Sequence, residues 1–250
     1  MFDTHAHLCA GEFASDLAAV VDRAVAAGVR AIVAVGEDLA DARANLVLAR
    51  RFPATVRPAA GLFPTHLDLE QADGLIAWIR RHQGELVAIG EVGLDYWKVQ
   101  EEPEREIQRE ILRRFAALAQ ELDLPLNVHS RSAGRATIEA LVASGARRVQ
   151  MHAFDGRAAN ALPGVEAGFF FSVPPSIVRS EQKQKLVRRL PLSCLLLETD
   201  SPVLGTVPGE RNEPARLVDA LVAIAEVKEI SRGEAREALA ANTLRLYGQL

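Results

Sequence analysis

Eight short apolar runs recur along this chain, each separated from the next by a longer amphipathic segment, and no other feature restricts the fold as much. The runs lie at Met1 to His5, Arg30 to Val35, Val56 to Gly61, Leu86 to Glu91, Leu126 to His129, Val149 to His152, Phe169 to Val173 and Leu195 to Thr199. Short runs rich in Val, Ile and Leu read as buried strands. The segments between them carry helix signals. In "SDLAAVVDRAVAAG", Ser15 reads as the N-cap and Gly28 as the stop. In "EREIQREILRRFAALAQEL", Ile107, Ile111, Phe115 and Leu118 recur at three- and four-residue spacing, a buried stripe with Arg and Glu pairs outside it. Ser231 with Glu234 forms a capping box for the last helix. A strand–helix unit repeated eight times closes a (β/α)8 barrel of the TIM type, an α/β fold. No linker or low-complexity tract interrupts it, so residues 1–250 read as one domain.

A barrel of this kind builds its chemistry at the carboxyl ends of its strands, where the βα loops gather. The first expected strand runs into His5 and His7, which share a face because residues two apart in a strand point the same way. The fourth ends at Glu91 in "AIGEVGLDY", the fifth at His129 in "NVHSRSA", the sixth at His152 in "MHAFDG", and the eighth runs into Asp200 in "ETDSPVL". Five strand ends thus hold four of the six histidines and two carboxylates, the side-chain types that bind hydrolytic metals. Any one of them alone reads more readily as an ordinary hydrogen-bonded polar residue, and the signal lies in the set.

Two residues before each of these positions, on the same inward face, stand Asp3, Ile89, Asn127, Gln150 and Glu198. Barrel interiors are ordinarily apolar, so the four polar side chains need partners there. The expectation is that several of them hold and orient the imidazoles.

Bulk properties narrow the remaining classes. No apolar run reaches the length of a membrane span, and no secretion signal opens the chain. Cys9 and Cys194 are the only cysteines, too far apart and too few for a disulfide framework or a thiolate zinc site, which points to a reducing, cytoplasmic setting. A net charge of -4 excludes a broad basic surface, so any nucleic-acid contact has to be local.

The order His-x-His, Glu, His, His, Asp resembles the amidohydrolase-like metal hydrolases. The local wording "DTHAHL", "AIGEVGLDY", "NVHSRSA", "MHAFDG", "ETDSPVL" and "RNEP", spanning Asp3 to Pro214, resembles the TatD family of metal-dependent deoxyribonucleases. That resemblance implies two divalent ions, one on His5, His7 and Asp200, the other on His129 and His152, with Glu91 bridging them. It also implies DNA as the substrate. In the wider superfamily a carbamylated lysine at the end of strand four is a common bridge, whereas this chain has Glu91. Two positions depart from the family pattern: Phe63 in "GLFPTH" stands where a histidine is usual, and Val203 follows "ETDSP" where an aromatic is common. His66, three residues beyond Phe63, is either its substitute or a solvated loop histidine.

Paired metal ions activate a shared water towards hydroxide and polarise a phosphoryl oxygen. Asp200, as a carboxylate at that site, is the candidate for orienting the nucleophile and taking its proton, with Glu91 as the bridging catalytic carboxylate. Arg131 reads as a phosphate clamp, since a guanidinium fork matches two phosphate oxygens, or as a solvated surface charge. Asn212 and Glu213 either position substrate or brace their loop, and Tyr96 or Trp97 either stacks on a base or serves the core. Four imidazoles favour Zn, Mn, Co or Ni over Mg, although the resemblance implies that magnesium supports nuclease activity. Carbonyl ester or amide hydrolysis, on a small molecule or an aminoacyl-tRNA, is the alternative chemistry for the same hydroxide. A non-catalytic binding barrel would be expected to lack ligands of the set. The oligomeric state is open, a monomer being consistent with the sequence.

Overall fold

A computed structural model describes residues 1–250. Eight parallel strands follow one another around the sheet in sequence order: β1 (Phe2–Ala6), β2 (Ala31–Ala34), β3 (Val56–Ala60), β4 (Ala88–Gly93), β5 (Leu126–His129), β6 (Val149–Met151), β7 (Phe170–Val173) and β8 (Leu195–Leu197). Helices α1 (Leu17–Ala26), α2 (Leu39–Arg51), α3 (Leu69–His82), α4 (Glu102–Leu122), α5 (Gly134–Ala143), α6 (Ala158–Glu166), α7 (Glu181–Arg189) and α8 (Leu217–Lys228) alternate with them, and α9 (Arg232–Tyr247) ends the chain. The expected TIM-type barrel is therefore present. No helix is long and apolar enough to cross a membrane.

The barrel closes through a narrow seam beyond the ends of β1 and β8. A single bridge pairs Ala6 with Ser201, the Asp200 amide donates to the His5 carbonyl at 2.9 Å, and the His7 amide donates to the Ser201 carbonyl at 2.8 Å. Asp3 reinforces it, accepting from the Thr199 amide at 2.8 Å and the Thr199 hydroxyl at 2.6 Å. The main core lies between sheet and helices. A second, smaller apolar cluster includes Val33, Ala59, Ala88 and Leu196 together with Leu246 and Tyr247, so the end of α9 packs with strand residues.

Two local expectations need correction. The N-cap of α1 is Asp16, not Ser15, and Asp16 makes no capping bond because its carboxylate is engaged by Arg211 and Arg23. Strand β4 runs on to Gly93, which places Glu91 inside the strand instead of at its end. There the register against β5 shifts between Ile89 and Val92. The Ser231–Glu234 capping box is present, and α4 buries Ile111, Phe115 and Leu118 while its Arg and Glu residues pair on the outer face.

The two glycines of "AIGEVG" answer to close backbone approach. A Cβ on Gly93 would lie 2.0 Å from the His129 carbonyl oxygen, and one on Gly90 would lie 2.7 Å from Asn127. Both have φ of +155°, which adds strain for any other residue. Gly93→Ala is expected to destabilise the protein by about 1–3 kcal/mol or more, as overpacking against an immobile strand does. Chemical denaturation of the variant beside the parent measures it, and equal midpoints would contradict the reading.

Candidate metal centre

Six side chains from five positions around the barrel meet at its carboxyl mouth. His5 projects from β1 and His7 from the turn just beyond it. Glu91 comes from β4, His129 ends β5, His152 directly follows β6, and Asp200 lies in the turn after β8. Asp200 has φ of +51° and Ala153, next to His152, φ of +41°. Aspartate tolerates the left-handed region better than most residues, which suits it to this turn.

Glu91 lies at the centre and is 1% exposed. Its two oxygens face different neighbours. Oε2 lies 3.4 Å from His7 Nε2 and 3.7 Å from His5 Nε2, while Oε1 lies 2.6 Å from His129 Nδ1 and 2.8 Å from His152 Nε2. On the Oε2 side, His5 Nε2 and His7 Nε2 are 3.3 Å apart, and Asp200 Oδ1 is 3.4 Å from the first and 3.5 Å from the second. A tetrahedron of zinc-type bonds of about 2.0–2.1 Å has edges of about 3.4 Å, so His5, His7 and Asp200 sit at mutual coordination spacing, with Glu91 Oε2 at a similar distance from both rings. Glu91 Oε2 is also a buried oxygen with no hydrogen-bond partner. A buried anionic oxygen left without a donor needs a positive partner, so the donor set fits a cation. The other side is tighter, with 3.2 Å between His129 Nδ1 and His152 Nε2. Octahedral bonds of about 2.1 Å have edges of about 3.0 Å, close to that spacing.

The surroundings fix which nitrogen of each ring faces the cluster. Asn127 donates its amide to the Thr4 carbonyl and the Tyr247 hydroxyl, so its oxygen must accept from His5 Nδ1 at 2.9 Å. His5 thereby presents the lone pair of Nε2 to the site. His129 donates from Nε2 to Asp95 at 3.1 Å, leaving Nδ1 as the lone-pair donor. Of the four expected inward polar residues, Asn127 holds an imidazole directly. Glu198 lies 3.7 Å from His152 Nδ1 and accepts from the Ala153 amide and Ser172. Gln150 joins the same network through Tyr247 and Ser172, while Asp3 serves the seam.

Charge follows this geometry. Burial, reinforced by His152, pushes His5 down to about 3, so it is neutral. For His7 burial also works downward, but contacts with Asp200 and Glu91 outweigh it and raise it to about 10. His129 and His152 are likewise buried yet raised, chiefly by the Glu91 carboxylate. Burial opposes ionisation of Glu91, but the His152 and His129 imidazoles override it and hold the carboxyl well below its usual range.

The cluster opens into a cleft of about 610 Å³. Arg131 and Phe63 line it, as does Val203. The Phe63 ring meets His129 edge-on with centroids 5.0 Å apart, and Val203 is exposed, so both departures from the family pattern fall on the cleft wall. The Arg131 guanidinium stacks 3.8 Å over Trp97. Three substrate candidates sit elsewhere. His66 is turned to Gln71 and is not on the cleft wall. Asn212 is buried, bonding the carbonyls of Thr199 and Val203, and Glu213 pairs with Arg23. These two brace the loop after β8, and a long loop far from its strand gives sequence reasoning no direction for such side chains.

Several site residues escaped the sequence reading. Asp95 stands four residues after Glu91 in the same motif, and Glu37 follows the second strand, where the strand-end rule would have found it. Glu37 lines the cleft, and burial raises its carboxyl. Tyr247 and Lys183 lie on helices, where no strand-end rule applies.

Comparison with known proteins agrees with this architecture. The profile of the TatD related DNase family matches residues 2–248, and the chain belongs to that family. Deoxyribonuclease TATDN3 of Homo sapiens is 43% identical over 261 aligned positions, covering 100% of this chain and 95% of the relative. The 3'-5' ssDNA/RNA exonuclease TatD of Erwinia tasmaniensis is 31% identical, covering 99% of each. Among solved structures, the TatD homologue YjjV of Escherichia coli superposes with a TM-score of 0.92 at 28% identity, over 100% of this chain and 98% of that one.

An imidazole must be neutral to coordinate a cation. Since His7, His129 and His152 are held above their ordinary value, cation loading near neutral pH is expected to release protons, and affinity should rise with pH and weaken as pH falls. Calorimetric titration of metal-free protein with Zn²⁺ or Mn²⁺ in buffers of different ionisation enthalpy counts those protons. Loading without proton release would rule out this charge assignment.

Proposed function

We propose that the protein hydrolyses phosphodiester bonds in DNA, as an exonuclease on single-stranded or damaged strands, using two divalent cations held at this cluster. His5, His7 and Asp200 would hold one, His129 and His152 the other, and Glu91 would span both. The observation that carries the reading is the division of the Glu91 oxygens between two sets of imidazoles, 3.4 and 3.7 Å on one side and 2.6 and 2.8 Å on the other. When bound, such cations lower the pKa of a water and polarise a phosphoryl oxygen.

The chain's own residues supply the remainder. Asp200 presents its Oδ1 beside His5 and His7, where it orients the attacking water and accepts its proton. Arg131 holds a substrate phosphate. Its face is committed to Trp97 at 3.8 Å, and this leaves the in-plane N–H groups free for two phosphate oxygens. The Trp97 turn is fastened to the centre, because Asp95 accepts from the Trp97 and Lys98 amides through one oxygen and from His129 through the other. Phe63 shields the His129 side of the cleft from water.

Apart from the imidazoles of the centre, the cleft wall has two basic side chains, Arg131 and Lys183. That neutralises few phosphates and suits a strand end more than a long duplex track. The names of the human and Erwinia relatives support the same substrate class.

Wild-type protein loaded with Mn²⁺ or Mg²⁺ should shorten single-stranded oligonucleotides. Glu91→Ala should keep its circular dichroism spectrum, lose bound metal, and slow hydrolysis by at least roughly 100-fold, since even residues behind metal ligands cost about 10- to 100-fold. Intact DNA alongside rapid cleavage of a carbonyl ester would replace the nuclease reading with the esterase one.

A further inference from the structure

Lys183 is given no contact of its own in the chemistry above, yet it lines the catalytic cleft. It lies in the first turn of α7, where its amide donates to the N-cap Ser180, and its side chain reaches back towards the loop that carries His152. The residue is only 8% exposed. Its ammonium makes one hydrogen bond, to the Ala153 carbonyl at 3.1 Å, and no ion pair. On the same helix, Lys185 has the ordinary fate of a surface lysine, paired with Glu181 at 3.0 Å.

A buried ammonium with one neutral acceptor is an unfavourable arrangement, because two donors and a full charge are left with little compensation. Burial pulls the Lys183 ammonium below the ordinary lysine range, against the attraction of Glu198, Asp155 and Asp200. Such a group becomes favourable once an anion arrives. The cleft makes this need specific: five carboxylates line it (Glu12, Glu37, Glu91, Asp155 and Asp200), against two basic side chains outside the imidazole cluster, Arg131 and Lys183. A substrate phosphate entering that field needs every fixed cation available.

We propose that Lys183 is a phosphate-binding residue, donating to a non-bridging oxygen of the substrate phosphate seated beside His152, on the wall formed by the loops after β6 and β7. The proposal rests on the phosphodiesterase reading for its substrate class. Arg131 reaches the cleft from the loop after β5, so the phosphate is held from two directions and orientation is defined as well as affinity. Lys183 also fastens the Ala153 peptide, whose amide is held by Glu198 at 2.8 Å, so a purely structural role is the competing account.

Two variants separate the accounts. Lys183→Gln keeps a donor for the Ala153 carbonyl without the charge, and Lys183→Met removes both. Binding of inorganic phosphate to the Mn²⁺-loaded proteins is measured by calorimetry, and unfolding midpoints are taken on the metal-free proteins. Both variants should bind phosphate roughly 10-fold to 100-fold more weakly, as loss of a charge-assisted hydrogen bond does. The Lys183→Gln midpoint should match the parent, Lys183→Arg should recover part of the affinity, and KM for a short single-stranded oligonucleotide should rise more than kcat falls. Parental phosphate affinity in Lys183→Gln overturns the proposal, whatever its midpoint. Lys183-dependent phosphate binding in a wild-type protein that leaves DNA intact would refute the nuclease reading and retain the phosphate site.

Discussion

The buried Glu91 carboxylate organises the mouth of this barrel. An anion at 1% exposure inside a closed sheet is sustained only by positive or hydrogen-bonding partners, and four imidazoles converge on it. Those rings in turn need fixed orientations, and Asn127 and Asp95 provide them for His5 and His129. Asn127 is held by Tyr247, Tyr247 by Gln150, and Gln150 by Ser172, whose hydroxyl donates in turn to Glu198. Polar residues therefore occupy strand positions where a barrel normally packs branched apolar side chains. The network beneath the cluster is anchored by the last helix of the chain.

Stability and site are joined at the seam. The backbone bonds that close β1 on β8 belong to His5, His7, Asp200 and Ser201, so donor positions and barrel closure are set by the same few peptides. The short approach of Gly93 to the His129 carbonyl does the equivalent between β4 and β5. A centre built this way is preorganised by the sheet, and Asn212 adds a hold from the loop after β8 by donating to the Thr199 carbonyl beside Asp200. Above it the cleft is mostly acidic, so cations and fixed basic groups together decide where an anionic substrate can sit.

The six converging residues and the eight-strand order could be read from the chain because strand ends in a parallel barrel share one face of the molecule, and His, Glu and Asp there are conspicuous against apolar runs. The inward parity of Asp3, Asn127, Gln150 and Glu198 followed from the two-residue period of a strand, and all four are fully buried and hydrogen-bonded. Strand limits were less sharp at β4, where an irregular register lets the strand continue past Glu91. Helix α1 starts one residue beyond the Ser15 cap, and its N-cap Asp16 leaves the helix amides uncapped because Arg211 and Arg23 engage its carboxylate.

What the sequence determined by itself is therefore whatever local periodicity encodes: strands, helices, and the residue types that strand ends bring to one mouth. Tertiary structure alone decided how the Glu91 oxygens divide, which ring nitrogens face inward, and that His66, Asn212 and Glu213 turn to other partners. It also decided that Tyr247 and Lys183, both on helices, reach the interior network and the cleft wall. The physical reason is that periodicity fixes the face a side chain leaves from, whereas its partner depends on which distant backbone the packed core carries into reach.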